Sequence, residues 1–415
     1  MKNKTLFSIL LVVFIDLLGF SLILPLLPYF AKTFNASDTE IGLLVAIYAA
    51  AQLIGAPILG RLSDRYGRRP VLLISIAGNL IGYILLGFAQ GMVMLFAARL
   101  LAGITAANIS VAQAYISDIT DEKNRSKGLG MIGAAFGLGF IIGPAAGGAL
   151  STFGYSVPAF LSAGLGVINL ILVALWLPES LSPERRAALA KKPAKDALAP
   201  KGLWAALQRP VIGPLLSTRF FYGMAFSIFQ TIFALYALSR FGVNAQNTGF
   251  ILAYVGVLSV ITQGFIVGRL TARYPESRLI FVMAIIMAVS LFGWAVAPNI
   301  LTLLIILAPT AFSAGILNTV INSAISKSVP PVEVGGMLGF AASLEAGTRV
   351  IAPTLGGIML DQISSRMGVF AGTAAPGLFA AILMSGVVFY IWRHVLNGTT
   401  AIASPPVVLV ENSGN

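Results

Sequence analysis

Cysteine is absent from the 415 residues, which excludes disulfides, thiolate metal sites and cysteine nucleophiles. Histidine occurs once, as His394 at the end of the last apolar run, too isolated for His-based catalysis or a metal cage. No carboxylate cluster suggests metal chemistry, and no phosphate loop of the G-x-x-x-x-G-K-S/T type appears, so ATP drive is not expected. Charge is scarce as well, at 10% of residues against roughly 25% in a soluble protein. The few buried polar groups offer no nucleophile beside a base, so neither an enzyme nor a cofactor is expected.

Apolar residues fill the chain instead: 57% are hydrophobic and the mean hydropathy is +0.90. Runs of about 20 residues or more suit helices crossing roughly 30 Å of hydrocarbon. Twelve spans are expected, at 6–30, 40–60, 70–90, 92–118, 126–151, 156–177, 211–239, 246–268, 277–297, 300–326, 334–360 and 372–394. Glycine is abundant (43) and proline not rare (21), as where membrane helices pack closely or bend. The opening Met1–Lys4 and the run behind it could pass for a signal peptide. That run continues to Phe30, carries Asp16 and lacks a small-residue cleavage site, so it reads as a retained helix.

A net charge of +12 could suggest a nucleic-acid partner, but most Lys and Arg fall on one side of the twelve-span topology. Only Lys32, Arg240 and Arg366 lie on the other, while Arg99, Arg219 and Arg349 lie within spans. Basic loops face the cytoplasm. Both termini are therefore expected inside the cell, in the inner (plasma) membrane, with some contact to anionic lipid and none to nucleic acid. The longest polar gap, 178–210, holds Pro178, Pro183, Pro193 and Pro200 among charged residues, with a short surface helix expected near 183–192. It divides the chain into a six-helix bundle (1–180), a cytoplasmic linker (181–210), a second bundle (211–396) and a disordered tail (397–415).

Between the second and third spans lies Gly60-Arg-Leu-Ser-Asp-Arg-Tyr-Gly-Arg-Arg-Pro70, with four arginines around Asp64. So basic a knot cannot lie in hydrocarbon and must turn at a membrane face. Gly60, Asp64, Gly67 and the flanking arginines resemble the pattern that the major facilitator superfamily carries at this place. The chain also repeats itself. Gly268-Arg-Leu-Thr-Ala-Arg-Tyr274 echoes Gly60-Arg-Leu-Ser-Asp-Arg-Tyr66. Ala352-Pro-Thr-Leu-Gly-Gly357 echoes Gly143-Pro-Ala-Ala-Gly-Gly148, at the same spacing to within one residue. The resemblance implies twelve helices in two pseudo-symmetric bundles, related about an axis along the membrane normal, with the substrate between them near mid-membrane. Asp64 becomes Ala272 in the second copy, so the acid–arginine knot reads as degraded there, and the first-half loop as the stronger gate.

Ionisable side chains inside a bilayer cost at least about 2.5–3.5 kcal/mol each and mark functional positions. At about 1.5 Å of rise per residue, Asp16 lies roughly 15 Å from the inner end of its span, Glu345 roughly 16 Å and Arg219 roughly 12 Å. Arg99 lies roughly 10 Å from the outer end of the fourth span, within reach of Asp16, and Arg349 sits one turn beyond Glu345. Asp16, Arg99, Glu345 and Arg349 are the proton-coupling candidates. An acid whose partner moves between two conformations is loaded and unloaded by the motion. Each also admits a structural reading: Asp16 satisfied by Arg99 or backbone, Glu345 paired with Arg349 or, across the bundle, with Arg219.

Further motifs narrow the resemblance. Arg99-Leu-Leu-Ala-Gly103 is similar to the superfamily's helix-4 pattern, and Gly139, Gly143, Pro144, Gly147 and Gly148 to its antiporter helix-5 signature. Asp16-Leu-Leu-Gly19 through Pro25 and Pro28 is similar to the first helix of the twelve-helix drug:proton antiporters, tetracycline exporters among them. In that family the first-loop acid caps a helix of the other half, and its arginines bridge to an acid ending helix 4. Gly60, Asp64, Arg65, Gly67, Arg68 and Asp118 match that cytoplasmic gate. Tetracycline exporters carry a further acid in helix 3, whereas 70–90 here has none, which argues against tetracycline itself. Phe20, Tyr48, Gln52, Gln113, Arg219, Phe226, Gln230, Asn318 and Asn322 are the remaining cavity candidates, aromatics mixed with amides that suit an amphiphilic organic molecule. The expectation is a monomeric secondary transporter exporting such a compound against protons by alternating access. A symporter or uniporter of a metabolite or organic anion, and a lipid translocator, stand as alternatives.

Overall fold

The computed structural model describes residues 2–190, 200–330 and 333–396. Every membrane-crossing element in it is helical, since a backbone in hydrocarbon can satisfy its N–H and C=O groups only internally. We number the crossings α1 (Thr5–Lys32), α2 (Asp38–Tyr66), α3 (Arg68–Gly87), α4 (Met92–Ile119), α5 (Gly128–Phe153), α6 (Ser156–Trp176), α7 (Ile212–Phe241), α8 (Ala245–Arg273), α9 (Glu276–Val296), α10 (Ile300–Lys327), α11 (Val334–Met367) and α12 (Val369–His394). Eleven are apolar enough to qualify as spans on composition; α11, with Glu345, Arg349, Asp361 and Arg366, is diluted by its charges. Polar caps start several helices. Ser37 and Glu40 form a capping box on α2, and Asn244 and Asn299 accept from the first turns of α8 and α10.

Three details depart from the sequence reading. The fourth span is broken after Thr105, and a second helical piece starts at Asn108. α11 runs on to Met367, so α12 starts at Val369 rather than 372. The helix expected near 183–192 is present as Pro183–Ala190, and Pro200–Leu207 adds one that was not expected. Residues 191–199 of the linker and the tail 397–415 lie outside the described residues.

The two halves are built alike. α1 packs on α5 and α6, and α3 on α4 and α6; their counterparts α7 on α11 and α12, and α9 on α10 and α12, repeat the arrangement. Between halves, α2 lies along α11 and α5 along α8. The echoed Gly-Pro motifs explain these seams. A side chain at Gly249 would strike the Pro144 carbonyl, and one at Gly42 the Pro353 carbonyl. Gly148 faces the backbone of Ala245 and Gln246, as Gly357 faces that of Asp38. The same backbone-to-backbone contact thus closes the bundle twice, with Tyr29 adding hydrogen bonds to Thr248 (2.6 Å) and the Val243 carbonyl (3.0 Å). All of this lies toward one end of the helices. Toward the other, where α2 runs on through Tyr66 and the chain turns only at Gly67, Gly60, Gly130, Gly133, Gly264, Gly268, Gly335, Gly336 and Gly339 have open space where a side chain would go. The halves are sealed at one end and parted at the end rich in basic loops.

A Cβ at Gly148 would meet the Gln246 carbonyl at 2.9 Å and that of Ala245 at 3.1 Å. Gly148→Leu should therefore hold the sealed end open. Because the chain lacks cysteine, spin labels on Thr33→Cys and Ser365→Cys can report it: the label distance should lengthen in the variant, and an unchanged distribution would refute the seal.

Candidate functional site: charges within the bundle

The break in α4 places the first charged group. Asn108, the first residue after the break, donates from its amide to Asp16 at 2.6 Å, and Asn79 of α3 donates to the same oxygen at 3.3 Å. Gln52 of α2 donates to the freed Ala106 carbonyl at 3.4 Å, so the interruption is satisfied inside the protein. Asp16 also borders a small, mainly apolar cavity between α1, α3 and α6, with Ile15, Ile76, Asn79, Tyr83 and Asn169 among its walls.

The expected Asp16–Arg99 pair is not formed. Neutral amides hold Asp16, while Arg99, 1% exposed, lies with its guanidinium carbon 4.2 Å from the centre of the Tyr48 ring. That is a cation–π contact. Its Nε has no hydrogen-bond partner among the described residues. Phe20 completes this corner, 5.5 Å from Tyr48 between ring centres.

The second half holds an ion cluster, as its spacing suggests. Glu345 pairs with Arg219 of α7 and, at 2.7 Å, with Arg349 one turn along α11. Arg219 also donates to Asn318 of α10 at 2.6 Å. Both pairings anticipated for Glu345 therefore exist together. Phe226 stacks on Tyr222 at 6.0 Å; Gln113 and Gln230 are exposed, and Asn322 is half-buried.

At the parted end, Arg68 bridges Asp64 (2.7 Å) and Asp118 (3.1 Å) and donates to the Ser63 hydroxyl (2.6 Å). Arg65 projects outward over Tyr66, and Gly60 faces open space. Among the described residues Asp64 reaches no helix of the other half; its carboxylate is on Arg68. The reading of a degraded second knot also needs correction. Counted from Gly268, Glu276 stands where Arg68 stands and Lys327 falls one residue past the place of Asp118, and the two are joined at 2.8 Å. The bridge between the third and fourth helices of each half is kept with its charges exchanged.

A family model described as Major Facilitator Superfamily matches residues 9–306 and 215–406. The chain belongs to the Major Facilitator Superfamily. It is 35% identical over 366 residues to the class H tetracycline resistance protein of Pasteurella multocida, covering 85% of this chain and 88% of that protein. It is 30% identical over 407 residues to multidrug resistance protein 2 of Bacillus subtilis, covering 97% and 98%. Among solved structures, an inward-facing, occupied bacterial homologue of the human lysosomal transporter Spinster superposes with a TM-score of 0.78 at 14% identity, covering 95% of this chain and 96% of that one. The fold of this superfamily transporter is thus the twelve-helix, two-bundle fold.

Within that fold the structure adds residues that motif reading passes over. Glu179, just past α6, accepts from the Arg68 (2.9 Å) and Arg69 (3.1 Å) backbone amides at the start of α3. Gly67, at φ 110°, leaves the space this carboxylate fills. Arg69 in turn donates to the Val173 and Ala174 carbonyls that end α6. A carboxylate on a helix N-terminus and a guanidinium on a C-terminus complement both dipoles. Asn108 had a legible signal, being a strongly polar residue amid an apolar span; Glu179 had none without knowing that α6 ends beside α3. Glu179→Gln should cost about 2 kcal/mol, the range for hydrogen bonds to a charged group. It should lower the melting temperature in detergent; no change would mean that solvent serves the cap equally well.

Proposed function

We propose that the protein is a proton-coupled exporter, taking an amphiphilic organic compound from the cytoplasm in exchange for protons by alternating access. One observation carries this reading: Asp16 lies deep in the membrane held by neutral amides alone. It can take up or release a proton without stranding a guanidinium, whereas protonating Glu345 would leave two arginines uncompensated. The multidrug and tetracycline resistance proteins among its relatives support export. The absence of an acid in α3, whose Asn79 is spent on Asp16, speaks against tetracycline as cargo.

In this reading the basic, parted end faces the cytoplasm, both termini lie there, and the protein is a monomer in the inner membrane with no enzymatic activity. The bundles comprise 1–180 and 211–396, joined by the linker 181–210. The cavity between them would receive cargo from the cytoplasm in the conformation described. Asp64 and Arg68 would re-form the inner seal when the halves close, Asp64 exchanging its partner within its own half for one across the gap.

Two variants test the scheme in proteoliposomes. Asp16→Asn should abolish flux driven by an imposed pH gradient yet leave substrate counterflow at near parental rate, whereas equal loss of both would make Asp16 structural. Asp64→Asn should slow cycling without weakening equilibrium binding, and a large drop in affinity would overturn its assignment to the gate.

A further inference from the structure

Among the described residues, Arg99, Arg219 and Arg349 outnumber the carboxylates Glu345 and Asp16 within the bundles, and Arg99 has only the Tyr48 ring against its charge. Gly42 of α2 meets Pro353 of α11 at the seal. Tyr48 lies six residues inward of that contact along α2, and Arg349 four residues inward along α11. These distances are about 9 and 6 Å at helical rise, so the two side chains stand at nearly one depth beneath the seal. The Tyr48 hydroxyl is within electrostatic reach of Arg99, of the Asp16 carboxylate and, more weakly, of Arg349. Arg99 and Arg349 therefore lie near this level, with Arg219 held on Glu345 one turn along α11, and Glu345 and Asp16 are the carboxylates facing the three.

Their situations differ. Arg219 has Glu345 on one nitrogen and Asn318 on another, leaving only its buried Nε without a partner among the described residues. Arg349 touches Glu345 with a single nitrogen, and its side chain is 59% exposed, so the rest of its planar fork is free. Arg99 has no carboxylate at all, because Asp16 is taken by Asn79 and Asn108. Unneutralised guanidinium groups are costly at this depth, and a planar fork is matched by a carboxylate, sulfonate or phosphate. A cationic drug entering here would meet like charge.

We propose that the transported amphiphile is an anion, whose acidic group docks on the free edge of Arg349 and is drawn toward Tyr48 by the charge of Arg99. This rests on the reading of the protein as an exporter of amphiphiles and narrows its cargo. The apolar part would lie against Phe20 and Phe226. Asp16 and the anion then occupy different groups, so proton and cargo are linked through movement of the helices and not through competition for one residue.

Fluorescein and rhodamine 123 share a ring system and differ in charge, and their binding to the purified full chain can be followed by anisotropy. The expected result is fluorescein binding at least about ten-fold tighter, lost by about ten-fold in Arg349→Ala and held within about three-fold in Arg349→Lys, with rhodamine 123 not weakened by either. Competition by short-chain phosphatidylglycerol would support the anion and assign it to a lipid headgroup; competition by free sulfonated dyes alone would support a soluble anion. Fluorescein affinity no better than that of rhodamine 123, including no binding of either, overturns the proposal, as does equal weakening of both dyes in Arg349→Ala. The pH-gradient flux of the parent protein is read separately, so loss of charge preference and loss of proton coupling are distinguishable.

Discussion

Hydrocarbon offers no partner to a polar group, so each one inside the bundle has to be answered by the protein itself. Much of the interior follows from this. Asn169 donates to the Val12 carbonyl (3.1 Å) and Ser162 to that of Gly19 (3.0 Å), fixing α6 against α1. The break in α4 is admissible because Gln52 takes the Ala106 carbonyl and Ala107 donates back to Thr105 at 2.8 Å. Some of the groups whose answer is incomplete among the described residues are ionisable or lie against an ionisable group, as do the Nε of Arg99 and the side-chain oxygen of Asn108 beside Asp16. Those are the places where a ligand or a proton would change the balance.

Close approach of backbones is the second consequence. Helices in a membrane gain little by burying apolar surface from one another, so they associate through packing that small residues permit. Gly143 and Gly147 let α5 press on Ser21 and Leu22 of α1, while Pro144 and Gly148, on another side of the same helix, meet α8. The antiporter-like motif therefore does two jobs, one within a half and one between halves. Its echo in α11 repeats both: Gly356 packs on Ile232 of α7, while Pro353 and Gly357 close on α2.

Period, length and repeat made the crossings and the two-fold arrangement legible, since a run of apolar residues in a bilayer has few alternatives to a helix. The cluster at Glu345 was legible too, because an i,i+4 pair needs no knowledge of tertiary structure. The pairing of Asp16 with Arg99 was misjudged for a physical reason. Depth along a helix axis says nothing about which way a side chain turns, and two asparagines stood nearer than the arginine. The break at Ala106 was invisible because neither glycine nor proline marks it. Glu276 and Lys327 were overlooked because the comparison of the two loops stopped at Tyr274, two residues before Glu276.

That exchange bears on how the molecule can move. The bridges Arg68–Asp118, Glu276–Lys327 and Arg219–Glu345 each tie helices within one half. Across the seam there is backbone packing at glycines, with hydrogen bonds from Tyr29 to Thr248 and the Val243 carbonyl and from Thr39 to Asp361 (3.0 Å), and no ion pair among the described residues. Breaking a buried ion pair by parting its members costs several kcal/mol, which would lock a seal that has to open in each cycle. Packing contacts between rigid bodies are lost in small increments as the bodies rotate, and water or lipid takes their place. Ion pairs placed within halves and withheld from the seam are the distribution that lets two stiff bundles rock against one another. Reversing the sign of a bridge, as between the two halves here, leaves that property intact, because it is the location of the pair and not its polarity that stiffens the bundle.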